Sequence, residues 1–351
     1  MKIAFTADNH LARKEDYPFR YITLGKILEQ CGCLDVDLLV IAGDLFDKNY
    51  PNYSEFEAVC HNHRPSNLKI VVIPGNHDHL LSQEKIVVSE LEIISEPKVI
   101  PLDGGYNAIF LPYQDGITMG EMLSTVEIET SAAHKILIGH GDWTEGLWNP
   151  LEQGGYMPLT QFDVLQNNFD KVFLGHIHLP YDGRLVHYPG SPCPLDITET
   201  GLRRILLFDT ETGEVEPHTV DSPIIFYNER FISLPDEKGI DRLKQEMLER
   251  IDCWDCPDDW MDRIHVRVVV NGYTDNRRGV LEAAQGIFNS YRFYDHEGVI
   301  LTDLHQVQDL DRAYLSEKMQ TWIDNLNWPS DPLQPTKDDI LLKSLSKIYE
   351  I

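Results

Sequence analysis

Residues 68–79 read LKIVVIPGNHDH: an apolar run rich in β-branched side chains, a Pro-Gly break, then Asn76, His77, Asp78 and His79 in a row. A short apolar run bounded by Pro and Gly reads as a strand buried on both faces. Polar residues directly after such a strand sit where α/β folds build their sites, at the carboxyl ends of the sheet. The same arrangement recurs along the first half of the chain. IAFTADNH (3–10) ends in Asp8 and His10, and LLVIAGDLFD (38–47) ends in Asp44 and Asp47. ILIGHGD (136–142) ends in His140 and Asp142, and VFLGHIH (172–178) ends in His176 and His178. Taken singly, each fragment is weak, but five in order carry an argument.

Working outward, further strands are expected over 107–113, 184–190, 203–209 and 213–220, with helices over 19–31, 54–64 and 83–94. Helices alternate with strands early, and the later strands follow one another through turns, as in an antiparallel meander. The fold class is therefore α/β, two packed sheets flanked by helices. From about residue 224 the texture changes to a strand, an acidic helix (236–252), the alternating strand RIHVRVVVNG (263–272) and a helix over 276–290. A helix over 306–327 has a wide apolar face that includes Leu310 and Trp322. WPSDPLQP (328–335) breaks it before a last helix. The expected domains are 1–222, a small α/β domain over 223–303, and a helical arm over 304–351. The arm either packs on the small domain or receives a partner.

Composition sets limits. The chain has 351 residues and a formal net charge of −27. Such a charge opposes broad electrostatic attraction to nucleic acid, although carboxylates can hold cations that in turn hold phosphates. No stretch approaches a transmembrane run. The opening MKIAFTADNH reads as a first strand, not a signal peptide. The six cysteines lack a framework, so reduced thiols and a cytoplasmic location are expected. CWDC (253–256) is a lone pair that reads as incidental.

Asp8 with His10, and His176 with His178, each present two groups in one direction along an extended chain. Carboxylate, imidazole and amide oxygen together suit manganese, iron or zinc better than calcium. The candidates Asp8, His10, Asp44, Asn76, His140, His176 and His178 exceed what one tetrahedral ion needs. Two ions sharing a bridging carboxylate is the economical arrangement, and it is a known device for phosphoester hydrolysis.

The order DNH, GDLFD, GNHD, GH, GHIH resembles the calcineurin-like metallophosphoesterase superfamily. Within it the chain is similar to SbcD-type DNA double-strand-break repair nucleases of bacteria or T-even-like phages. The resemblance implies a double β-sandwich with one metal on Asp8, His10, Asp44 and His178. It places the other on Asp44, Asn76, His140 and His176. His77 would act on the phosphate or the leaving oxygen, and Asp78 would orient the His77 ring. Two manganese ions, DNA as substrate and exonuclease and endonuclease activity in recombination and repair are further implications. GDLFD has Asp47 where related archaeal and eukaryotic enzymes commonly place His, so an auxiliary histidine is absent. YPGSPCPLDITETG (188–201) resembles the Gly-Ser-Pro segment of the group.

The resemblance further implies that the small domain caps DNA and that the closing helices grip the coiled coil of an SbcC-type, SMC-like ATPase. A homodimer would form through 54–64 and 83–94. A small-molecule or cyclic-nucleotide phosphodiesterase with the same centre is the rival reading, and a metal-free scaffold is a third. Among other residues, Asp142 and Trp143 are candidates for the substrate groove. Trp148 and Tyr156 either stack on a base or pack, and Arg184, Arg203 and Arg204 either meet phosphates or solvate strand ends. His61, His63 and His79 are expected to be solvated.

Overall fold

Alternation along the first strands sets the layers. In β1 (Lys2–Thr6) Ile3 and Phe5 face one core and Ala4 faces another. In β2 (Leu38–Ala42) Leu38, Val40 and Ala42 share the face of Phe5, while Leu39 and Ile41 share that of Ala4. A strand with apolar groups on both faces is stable only when both are covered. The computed structural model describes residues 1–48, 52–127, 134–144, 155–235, 238–307, 312–328 and 334–349. Trp148 and Leu310 lie outside them.

The first compact unit comprises Met1–Leu195 and Leu202–Ile224. Its elements continue with α1 (Pro18–Cys33), α2 (Tyr53–His63), β3 (Lys69–Ile73), β4 (Leu91–Ile93), β5 (Lys98–Pro101) and β6 (Tyr106–Leu111). Then come α3 (Met119–Leu123), β7 (His134–His140), β8 (Trp143–Thr144), β9 (Leu159–Thr160), α4 (Gln161–Asn167) and β10 (Lys171–Gly175). β11 (Tyr181–Asp182), β12 (Val186–Tyr188), β13 (Arg204–Asp209) and β14 (Val215–Thr219) complete it. Among the described residues the strand order is β14-β13-β1-β2-β3-β4 in one sheet and β11-β12-β10-β7-β6-β5 in the other.

Phe5, Val40, Phe110, Ile138, Phe173 and Phe208 fill the space between the sheets, with Phe5 and Phe173 stacked at 3.8 Å between centroids. α1 and α2 cover the outer face of the first sheet, and α3 and α4 that of the second. The strands β1, β2, β3, β7 and β10 are parallel to their neighbours within this central set. Their carboxyl ends therefore emerge together.

Two expectations are corrected here. Residues 83–94 are not a helix: a 3₁₀ turn at Gln83–Lys85 is followed by β4. Val87, which stands at helical spacing from Leu91 and Ile94, is 85% exposed, and β-branched residues favour the extended chain that forms. The late meander is partial, because β10 pairs in parallel with both β7 and β12. Among the later described strands, β11–β12 and β13–β14 are antiparallel hairpin partners.

The second unit comprises Asp196–Gly201 and Ile225–Ile351. β15 (Ile225–Ser233) and β16 (Ile264–Thr274) are parallel, and β17 (Arg292–Phe293), β18 (Val299–Ile300) and β19 (Leu304–Gln306) pair in turn with β16. α5 (Gly239–Asp252) packs on β15 and α6 (Arg277–Phe288) on β16. CWDC is organised by its tryptophan: Trp254 stacks on Tyr227 at 4.1 Å and donates to the buried Glu229 at 2.7 Å. Both cysteines are free.

The closing helices α7 (Ala313–Asp324) and α8 (Lys337–Tyr349) do not form a separate unit. Ile323, Leu341, Leu345 and Tyr349 pack with Leu234 at the end of β15, and Tyr349 stacks on Tyr273 of β16. The apolar face of the expected 306–327 helix is thus divided: Ile323 and Met319 pack inward, whereas Tyr314, Leu315 and Trp322 remain exposed. No helix among the described residues is long and apolar enough to cross a membrane.

Candidate metal centre

The site begins as an extension of the first sheet. Beyond β1 and β2 the backbone continues to pair: Asp8 N donates to Gly43 O at 3.1 Å, His10 N to Asp44 O at 2.9 Å and Leu11 N to Leu45 O at 2.8 Å. Two carboxylates then tie in loops from other strands. Asp44 Oδ1 accepts from His77 N at 2.8 Å, and the Asp8 carboxylate accepts from His176 N at 3.0 and 3.1 Å. Asp8, His10, Asp44 and His176 all adopt positive φ, at 54°, 44°, 51° and 99°. Such conformations cost non-glycine residues about 1–3 kcal/mol each and persist where the surroundings over-determine them. The glycines have a different task. A Cβ on Gly75 would sit 2.2 Å from Asp44 Oδ1, and one on Gly43 would sit 2.1 Å from His140 Nδ1. Their absent side chains leave room for the neighbouring polar group.

The side chains converge. One ligand atom each from Asp8, His10 and His178 falls within a 4.8 Å group, as do atoms of Asp8, Asp44 and His140. His10 Nε2 lies 3.2 Å from His178 Nε2 and 3.5 Å from Asp44 Oδ2. His140 Nε2 lies 3.5 Å from Asp44 Oδ2 on the other side, so Asp44 faces both histidines. Asn76 Oδ1 is 2.9 Å from His140 Nε2 and 3.1 Å from His176 Nδ1. His140 Nδ1 donates to the Ala42 carbonyl at 2.9 Å, which turns Nε2 toward the cluster. Asp8, His10, Asp44, Asn76 and His140 are buried, an assembly of polar groups that a cation would satisfy.

Protonation fits the same use. Burial pulls the His10 imidazole down to about 3, helped by the neighbouring His178 and His77 against the pull of Asp44. Burial and the His140 charge bring His176 down to about 4. Both rings are neutral near pH 7, with lone pairs free for a cation. Burial pushes the Asp8 carboxyl up to about 6, with Asp44 adding to it. At Asp44 burial acts in the same direction, but His140 and His10 and the His77 amide outweigh it and hold the carboxyl low. Burial disfavours the charged form of His140, yet Asp44 and Asp8 more than offset it and raise the imidazole to about 9. A cation held beside Asp44 would compete with the proton on His140. The donor set of carboxylate, imidazole and amide oxygen fits divalent transition metals.

His77 stands at the edge of this cluster, edge-on to His10 at 4.5 Å between centroids. One of its ring nitrogens also lies within reach of His10 and Asp44. Its Nδ1 is committed to Asp47 Oδ1 at 2.9 Å. The expectation for Asp78 is corrected on this point. Its two oxygens accept from Gly75 N at 2.7 Å and Phe46 N at 3.1 Å, so it braces the loops after β2 and β3. β2 and β3 are adjacent and parallel, which places the GDLFD and GNHD loops side by side. Asp47, three residues beyond Asp44, thereby reaches the ring that Asp78 does not. Spacing within GDLFD was the available signal.

The minor candidates separate. His79 is exposed. Arg203 is buried and donates to Ser191 O at 2.8 Å and to the His178 carbonyl, anchoring the loop that carries His178. Arg204 pairs with Asp182 at 2.5 Å. Asp142 Oδ1 lies 3.5 Å from His176 Nε2, and Asp142 Oδ2 accepts from Tyr156 N at 2.7 Å.

Residues 1–180 match the family described as calcineurin-like phosphoesterase. The SbcD component of nuclease SbcCD from Staphylococcus saprophyticus is 27% identical over 249 residues, covering 57% of this chain and 63% of that protein. The chain thus spans just under two thirds of the length of this relative. A hypothetical protein from Thermus thermophilus aligns over 62% of this chain and 98% of its own, with a TM-score of 0.39 at 10% identity. The nuclease MPE of Pseudomonas putida aligns over 62% and 87%, with a TM-score of 0.28 at 16% identity. The family match takes in all five strand-end loops, and on that match the chain belongs to the calcineurin-like phosphoesterase family.

Proposed function

We propose that this protein hydrolyses DNA phosphodiesters at a two-metal centre and does so with manganese. The observation that carries the reading is Asp44, whose Oδ2 lies 3.5 Å from both His10 Nε2 and His140 Nε2 at the junction of two groups of candidate ligands. Asp8, His10, Asp44 and His178 would hold one ion; Asp44, Asn76, His140 and His176 would hold the other. Divalent ions there supply Lewis acidity to a phosphoryl oxygen and to water. The remaining chemistry belongs to the chain. Asp47 accepts from His77 Nδ1, fixing the tautomer and the orientation of the ring. His77 Nε2 is then the donor to the leaving oxygen. Asp78 keeps the two loops in register through Gly75 and Phe46.

DNA as substrate is supported by the name of the Staphylococcus relative and by the size of the second unit, which a small-molecule hydrolase does not require. The second unit would cap DNA. The exposed Leu315 and Trp322, two turns apart on α7, would receive a coiled-coil ATPase of the SMC type. A homodimer and a cytoplasmic role in recombination and double-strand-break repair complete the reading. Incubation of the purified chain with manganese and single- or double-stranded oligonucleotides tests it. Cleavage that is abolished by His77→Ala with manganese retained is the expected result. No cleavage, alongside rapid turnover of bis(p-nitrophenyl) phosphate, would assign the centre to small phosphodiesters instead.

A further inference from the structure

An aromatic side chain beside the centre has no part in holding it together. Tyr156 is 42% exposed, yet its backbone is fixed on both sides: its N–H donates to Asp142 Oδ2 at 2.7 Å and its carbonyl accepts from Asp142 N at 2.9 Å. Asp142 in turn contacts His176. The Tyr156 ring lies 4.6 Å from the His176 ring and 6.4 Å from that of Tyr113. Tyr113 stands edge-on to His140 at 6.3 Å. On the loop that carries His176 and His178, Ile177 is 38% exposed and Leu179 is 55% exposed, alternating with the histidines. The centre is thus bordered on the His176 side by a fixed aromatic face.

We infer that Tyr156 is the stacking platform for the nucleobase that adjoins the scissile phosphate. This rests on the reading of the substrate as DNA. A chain of net charge −27 grips a polyanion weakly through its surface. Nearby arginines are engaged with the protein, Arg20 on the His10 carbonyl and Arg203 on Ser191. Stacking supplies affinity without charge and accepts any base, because every base has a π-face. A base reaches an exposed ring only after leaving its own stack. The platform therefore favours single strands and frayed ends over intact duplex.

The test uses the full chain with manganese and a single-stranded oligonucleotide whose only cleavable linkage is flanked by methylphosphonates. A tetrahydrofuran abasic residue replaces the nucleotide on one side of that linkage, then on the other. For one of the two placements, wild-type kcat/KM is expected to fall roughly 5- to 150-fold, the range that base–aromatic stacking spans, chiefly through KM. Tyr156→Ala should lose a similar factor on the base-bearing strand and cease to distinguish it from the abasic one. Tyr156→Phe should behave as wild type. With calcium in place of manganese, 2-aminopurine at that position should be quenched on binding by wild type and Tyr156→Phe but not by Tyr156→Ala. Equal wild-type kcat/KM for base-bearing and abasic strands, or discrimination that survives in Tyr156→Ala, overturns the platform alone. Absence of any DNA cleavage by wild type overturns the DNA reading and the platform with it.

Discussion

Replacing Asp47 with Asn keeps the shape of the side chain and removes the charge that faces His77. The Asp47 carboxylate accepts from His77 Nδ1 at 2.9 Å and from its own neighbour Lys48 N at 2.8 Å, and it lies 3.9 Å from Arg20 Nη1. Burial works against its charge, but the bonds from His77 and Lys48 outweigh it and hold the carboxyl below its ordinary value. It is therefore ionised at neutral pH. A hydrogen bond to a charged group contributes about 1.5–3 kcal/mol. With 39% of the Asp47 side chain exposed, solvent screening keeps the figure near 1.5–2 kcal/mol. That converts to a fall of roughly 10- to 30-fold in kcat. The assay compares a dinucleotide, whose alkoxide must be protonated as it leaves, with bis(p-nitrophenyl) phosphate, whose phenolate leaves readily without a proton. Asp47→Asn should lose the full factor on the dinucleotide and little on the aryl ester, with manganese affinity unchanged. Equal losses on both substrates would refute the role given to His77, and loss of manganese would make Asp47 part of the metal site.

Three further outcomes follow from named contacts. Asp78→Ala leaves the buried amides of Gly75 and Phe46 without their acceptor and should cost about 2–4 kcal/mol in urea unfolding; unchanged stability with lost turnover would return Asp78 to the side of His77. Manganese affinity should rise by up to about tenfold per pH unit between pH 6 and 9, because His140, raised to about 9, must release its proton, and calorimetry in two buffers should detect that proton. Glu246 is pushed up from 4.5 to about 7, first by burial and then by Asp338 and Asp324. The folded chain thus retains a proton that the unfolded chain releases, and stability falls as pH rises through that window. After allowance for its partial exposure, Glu246→Gln should be more stable than wild type by about 1–2 kcal/mol at pH 8 and equal to it at pH 4.

Strand-end residues were legible because periodicity and glycine breaks mark where a buried strand stops. Leu38–Ala42 and Lys69–Ile73 read as strands from composition alone, and Asp44 and Asn76 follow them directly. Neighbour relations were less legible. Asp78 adjoins His77 in the chain, whereas Asp47 reaches it only because β2 and β3 lie side by side. Residues 83–94 misled because Val87, Leu91 and Ile94 mimic helical spacing, and the pairing of Leu91 with Ile70 on β3 prevails over it. The closing helices were ambiguous because half of their apolar face packs on β15 and β16 while Trp322 stays in solvent. Arg203 read as a surface cation, yet its buried guanidinium holds the carbonyl of His178.

Anomalous diffraction at the manganese edge, from crystals of the full chain grown with manganese, tests the central claim most directly. Two peaks about 3.5–4 Å apart are expected, the spacing of two-metal hydrolytic sites, with the Asp44 carboxylate between them. Asn76, His140 and His176 should surround one peak, and Asp8, His10 and His178 the other. A single peak, or manganese bound elsewhere with His10 and His140 both uncoordinated, would contradict the account.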